Sequence, residues 1–163
     1  MSKAKILVIS DVHGRLPALR WILKNETADA MFFLGDGLKD LDGAVNLLRE
    51  PLPYPVYRVR GNCDGGFPDP EEGLVPIAGV LFFYTHGNQF YVKSGYDQLA
   101  EAAQARGADV ALFGHTHRRG LINPNLPGVP ALFNPGCLRD SGCYGVITVE
   151  DGKCSYDWKW VEQ

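Results

Sequence analysis

Short apolar runs alternate with amphipathic stretches over the first sixty residues, and each predicts a different element. Lys5–Ser10 is rich in Ile, Leu and Val and reads as a buried strand. From Arg15 to Asn25, Leu16, Leu19, Ile22 and Leu23 fall on one helical face, with Pro17 tolerated only in the first turn. Ala30–Leu34 is a second apolar strand, and Leu41, Val45 and Leu48 predict a helix over Leu38–Arg49. Pro51, Pro53 and Pro55 prevent its continuation, and Val56–Arg60 alternates as a third strand. Strand, helix, strand, helix, strand is two successive βαβ units, which implies a parallel sheet.

The second half has a different rhythm. Gly65–Gly73 reads as a loop, and Leu74–Ile77 with Val80–Tyr84 as a hairpin around Ala78-Gly79. Ser94 followed by Asp97 resembles a capping box opening a helix that ends near Gly107. Ala108–Phe113 is a further strand, and Gly120–Phe133 holds strand-like pieces broken by Pro and Asn. Gly145–Val149, the Asp151-Gly152 turn and Cys154–Val161 predict a closing hairpin. The expectation is one mixed α/β domain over residues 1–163, with two packed sheets and helices on the outer faces.

The residues after the strands carry the chemistry. Asp11 and His13 follow the first strand, Asp36 the second and Asn62 the third. His86 follows the hairpin, and His115 and His117 follow Phe113, which accounts for every histidine in the chain. Open α/β sheets place their crevice at strand carboxyl ends, so these distant segments are expected to converge. Extended backbone would aim both members of Asp11-x-His13 and of His115-x-His117 to one side. Oxygen and imidazole donors suit borderline divalent metals, and seven are too many for one tetrahedral ion. Two ions sharing Asp36 would use them all, and such pairs perform hydrolysis.

Composition narrows the alternatives. With 163 residues, 45% hydrophobic and 21% charged, the chain is expected to be a soluble globular protein. The net charge of −3 and the lack of an aromatic-basic stripe argue against a nuclease and against anionic membranes. No apolar run approaches the roughly 20 residues of a membrane helix, and no secretory signal is visible. Cys63, Cys137, Cys143 and Cys154 lack C-x-x-C spacing and are read as thiols in a reducing cytoplasm.

The strings Asp11-Val12-His13, Gly35-Asp36, Gly61-Asn62, Thr85-His86 and Gly114-His115-Thr116-His117 resemble the signature of the calcineurin-like metallophosphoesterase superfamily. Gly61-Asn62-Cys63-Asp64, Asn134-Pro135-Gly136 and the short chain are similar to its small prokaryotic phosphodiesterase group. The resemblance implies a four-layer α/β/β/α sandwich and a dinuclear centre that activates water for in-line attack at phosphorus. One cation would take Asp11, His13, Asp36 and His117, and the other Asp36, Asn62, His86 and His115. Manganese is the expected metal, with nickel, iron, zinc, cobalt or magnesium as alternatives.

The chain departs from the family pattern at three places. Many members carry a histidine, proposed as a general acid or a phosphate contact, where Cys63 stands; Arg119 replaces a Pro and Cys137 a Ser that are common in the small group. Without that imidazole, activated phosphodiesters should outperform substrates with poor leaving groups. Cys63 is a candidate catalytic position with three readings: site-wall thiol, metal-reactive thiol or packing residue. Asp64 is a candidate for orienting a ligand or for a plain turn before Gly65-Gly66. Arg119 and Arg139, with Arg118, are candidate phosphate contacts. Trp158-Lys159-Trp160 alternates as a sheet face, with a homo-oligomer interface as the other use. Phosphodiesterase action on a small phosphoester is the leading function. A phosphomonoesterase or nucleotidase, and a protein-interaction scaffold on the same fold, are the alternatives.

Overall fold

The computed structural model describes residues 3–162. Among these described residues, ten strands form two five-stranded sheets. The first contains β1 (Lys3–Ile9), β2 (Ala30–Phe33), β3 (Val56–Arg58), β9 (Cys143–Glu150) and β10 (Lys153–Trp160), in the order β10-β9-β1-β2-β3. The second contains β4 (Glu72–Ile77), β5 (Val80–Thr85), β6 (Val110–Leu112), β7 (Gly120–Ile122) and β8 (Ala131–Asn134), in the order β4-β5-β6-β8-β7. Both are mixed. β1, β2 and β3 run parallel, as do β5, β6 and β8, while the hairpin strands are antiparallel.

Strand periodicity builds the layers. In β1, Ile6 and Val8 face the other sheet, while Leu7 and Ile9 face helices. Phe32, Phe82, Leu112 and Phe133 join Ile6 and Val8 in the core between the sheets. Leu19 and Ile22 of α1 (Leu16–Asn25) and Leu41 of α2 (Leu38–Asn46) cover the outer face of the first sheet. Leu99 and Ala103 of α3 (Asp97–Ala105) cover Phe83, Ala111 and Phe113 of the second. The result is the α/β/β/α order. Truncating fully buried Phe32 to Ala would cost about 3–5 kcal/mol, because rings from both sheets close around it.

Two sequence expectations are corrected, and one element is added. Ser94 ends a short 3-10 turn, and α3 is preceded by Tyr96 with no side-chain cap, so Ser94 and Asp97 form no capping box. The segment 65–73, read as loop, already enters β4 at Glu72. A four-residue helix, α4 (Leu138–Ser141), was not visible, since four residues carry no helical period.

Candidate metal centre

The parallel strands deliver their carboxyl ends to one edge of the sandwich, and backbone bonds tie the loops there. The Asp11 N–H donates to Gly35 O (3.1 Å), His13 N–H to Asp36 O (3.1 Å) and Gly114 N–H to His86 O (2.9 Å). His86 Nδ1 lies 2.7 Å from Leu34 O, which locks the end of β5 against the end of β2. His86 Nε2 is thereby turned toward the cluster.

Six of the seven expected donors meet there. His117 Nε2 lies 3.3 Å and His13 Nε2 3.2 Å from Asp11 Oδ1. His86 Nε2 lies 3.1 Å and His13 Nε2 3.6 Å from Asp36 Oδ2. His115 Nδ1 is 3.2 Å from His86 Nε2. The atoms gather at two foci, Asp11-His13-His117 and Asp36-His86-His115, and Asp36 touches both through His13 and His86. Two donors each about 2.1 Å from a zinc-sized ion sit roughly 3–3.5 Å apart, so these spacings fit co-ligands. Asn62 is at the margin: it is exposed, and its amide nitrogen donates to Cys63 Sγ (3.6 Å).

The local backbone corrects the expected reason for convergence. Asp11 (φ 59°), His13 (φ 43°), Asp36 (φ 59°), His115 (φ 70°) and His117 (φ 63°) all lie in the left-handed region. The paired donors converge through tight left-handed turns, not through extended chain. Non-glycine residues rarely hold this geometry, and such strain concentrates at functional sites.

Close approach explains two glycines. A Cβ on Gly114 would stand 2.0 Å from Ser10 Oγ and 2.8 Å from Asp11 Oδ2. One on Gly61 would stand 2.2 Å from Asp36 Oδ1 and 2.7 Å from Asp36 N. Both carboxylates are then pinned by bonds: Ser10 Oγ (2.6 Å) and His115 N–H (3.1 Å) donate to Asp11 Oδ2, and Cys63 N–H (2.8 Å) donates to Asp36 Oδ1.

Charge within the cluster is tightly coupled. Burial pushes the Asp36 carboxyl up, but His86, the Cys63 N–H and His13 outweigh it and hold the pKa at about 2. Burial pushes the His86 imidazole down, but the Asp36 bond and the Asp11 charge leave it above its ordinary value. His115 is lowered by burial, then by His86 and Lys93. Buried His86 is therefore the imidazole whose proton a divalent cation would have to displace.

The other candidates are distributed around this centre. Asp64 is buried, and its carboxylate accepts N–H bonds from Asp36 (2.6 Å), Gly61 (2.8 Å), Gly37 (2.9 Å) and Leu38 (3.1 Å). It therefore clamps two ligand loops and caps the amino end of α2, whose dipole favours a negative charge there. Cys63 is exposed, with Sγ within 4.8 Å of donor atoms of His13 and Asp36. Its thiol is raised by burial and by Asp36, Asp64 and Asp11. Arg139 Nε donates to Asp140 Oδ1 (2.9 Å), and the Arg119 guanidinium lies over the Trp158 and Trp160 rings. Neither Asp140 nor Ser10 was legible beforehand. Asp140 sits 2.9 Å from His117 Nδ1 but lies 23 residues away in α4, so no local spacing announces it.

The α/β/β/α sandwich thus gathers nitrogen and oxygen donors at its strand ends, a set suited to a borderline divalent metal. The calcineurin-like phosphoesterase superfamily domain matches residues 4–152, and the chain belongs to that superfamily. The probable metallophosphoesterase YsnB of Bacillus subtilis is 30% identical over 156 residues, covering 90% of this chain and 85% of that protein. The phosphodiesterase YfcE of Escherichia coli K12 is 30% identical over 183 residues, covering 90% of this chain and 93% of that one. A solved structure from Streptococcus pneumoniae, described as a predicted phosphoesterase, superposes with a TM-score of 0.78 at 25% identity, covering 97% of this chain and 90% of that one. The family is one of metal-dependent metallophosphoesterase hydrolases, and the described residues of this chain include donor groups that could hold a metal. No helix among the described residues is long and apolar enough to cross a membrane.

Proposed function

We propose that the protein is a dinuclear metal-dependent phosphodiesterase acting on a small phosphoester in the cytoplasm, with residues 1–163 working as one domain. The observation that supports it is the convergence of Asp11, His13, Asp36, His86, His115 and His117 with donor atoms 3.1–3.6 Å apart. The relative YfcE, a phosphodiesterase at 30% identity, favours a diester substrate. Asp11, His13, Asp36 and His117 would hold one cation, and Asp36, Asn62, His86 and His115 the other, manganese being the first choice. When bound, the pair would supply an activated water and neutralise developing phosphoryl charge.

The chain's own groups position the donors. Leu34 O and Asp140 hold the Nδ1 sides of His86 and His117, leaving both Nε2 atoms aimed inward. Asp64 keeps the Asp36 and Asn62 loops in register. The raised thiol of Cys63 stays protonated at neutral pH and is a weak acid, so it assists a poor leaving group little. Arg139, half-exposed beside Asp140, would be the candidate contact for an entering phosphate.

The test is a substrate panel on metal-stripped protein with Mn, Ni, Mg or Zn restored separately. Bis-p-nitrophenyl phosphate should be hydrolysed faster than p-nitrophenyl phosphate with at least one metal. A preference for the monoester with every active metal would replace this reading with a phosphomonoesterase, and no turnover with any metal would revive the scaffold.

A further inference from the structure

The carboxyl end of β10 carries an aromatic surface that the proposed reaction does not use. Trp158 is fixed: its Nε1 donates to Asn134 O (2.9 Å) and its ring stacks on Phe133 with centroids 5.3 Å apart. Trp160, at the strand end, is 48% exposed. The Arg119 guanidinium spans both rings, 5.8 Å from the Trp158 centroid and 5.1 Å from that of Trp160. Arg58, Arg60, Arg106 and Arg139 have carboxylate partners, whereas Arg119 is exposed and is held by rings.

This surface borders the donor cluster. Arg119 follows ligand candidate His117 by two residues, which span at most about 7 Å of chain. Trp160 pairs with Cys143, and the intervening Gly142 follows α4, whose Asp140 is bonded to His117. The Val161 N–H donates to Gly142 O (2.9 Å), and a Cβ on Gly136 would meet both Arg119 Cβ (3.5 Å) and Cys143 Sγ (3.2 Å). Trp160 and Arg119 are thus linked to the His117 side of the cluster through Cys143, Gly142 and α4.

We infer that Trp160, steadied by Arg119, is a stacking subsite for a planar ring on the non-leaving arm of the phosphodiester, a nucleoside being the chemical class that fits. An exposed indole offers a ring a face of its own size, and the guanidinium adds positive charge toward the phosphate. The inference rests on the phosphodiesterase reading for its catalytic consequence, but ring binding stands independently of turnover.

The experiment compares thymidine 5′-p-nitrophenyl phosphate with methyl p-nitrophenyl phosphate, which release the same leaving group, on manganese-loaded wild type, Trp160→Ala, Trp160→Phe and Arg119→Ala. Trp160→Ala should raise KM for the thymidine ester roughly 5- to 100-fold, the range of single-base stacking, with kcat and the methyl ester's KM nearly unchanged. Trp160→Phe should restore most of the affinity, and Arg119→Ala should weaken it less than Trp160→Ala. Equal KM increases on both esters, or loss of kcat on both, would overturn the subsite and leave the rings a structural cover. Should wild type turn over neither ester, the phosphodiesterase reading fails by itself. Quenching of tryptophan fluorescence by thymidine 5′-monophosphate then decides the subsite: a signal abolished in Trp160→Ala supports it, and one unchanged overturns it.

Discussion

His117 Nδ1 lies 2.9 Å from Asp140 Oδ2, while its Nε2 lies 3.3 Å from Asp11 Oδ1. One face of the ring is held by a carboxylate of α4, and the other looks into the donor cluster. Asp140 is itself kept ionised, first by Arg139 and then by His117. Replacing it with Ala should weaken metal binding about 10- to 100-fold, the usual effect of losing a carboxylate behind a ligating imidazole. Asp140→Asn, which keeps an acceptor, should lose less. Calorimetric titration with manganese measures both, and equal affinity in all three proteins would remove Asp140 from the account.

A methyl group at position 114 should act on Asp11 without touching the core. The Cβ would displace Ser10 Oγ and crowd Asp11 Oδ2, so Gly114→Ala should bind metal poorly while circular dichroism stays native. Wild-type affinity in this variant would mean that Asp11 is not held where metal binding needs it.

Metal uptake should be linked to protons. The raised pKa of His86 in the metal-free protein means that its proton persists to a higher pH than an ordinary histidine's, and a cation must displace it. Affinity should therefore rise with pH from 6 upward and level off once His86 is neutral. The Asp36 carboxyl, at about 2, adds no dependence in that range. Its contribution to folding is present above its unfolded pKa near 3.8 and is lost only as pH falls toward 2. Calorimetry in buffers of different ionisation enthalpy should show proton release near neutrality. No release and a flat affinity between pH 6 and 8.5 would contradict the assignment of His86.

Position 63 tests the missing acid. The Cys63 thiol, raised by burial and three carboxylates, is poorly suited to donate a proton. Cys63→His should speed hydrolysis of alkyl-leaving-group diesters more than that of p-nitrophenyl diesters, since only the former need protonation. Equal rate changes on both would show that the acid is not what limits turnover.

The parts of the fold that were legible in the chain are those with a period. β1, α1, β2 and β5 each place several apolar residues on defined faces, and donors follow the three strands within a few residues. Short elements lacked that signal. α4 has four residues, and β7 is a three-residue piece among prolines and asparagines. The site divides in the same way. Its histidines and aspartates stand next to strands, but the left-handed turns that aim them, the Asp140 support and the Asp64 clamp depend on contacts between distant segments. Arg119 was read for its charge alone, because nothing in Arg118-Arg119 foretells that β10 brings two indole rings beneath it.

In the proposed centre, Asp36 stands between two cations held by the two halves of the histidine cluster. Crystals grown with manganese and measured for anomalous scattering test it directly. Two anomalous peaks are expected, one beside Asp11, His13 and His117 and the other beside His86 and His115, with Asp36 touching both. A single peak, or two from which Asp36 is absent, would contradict it.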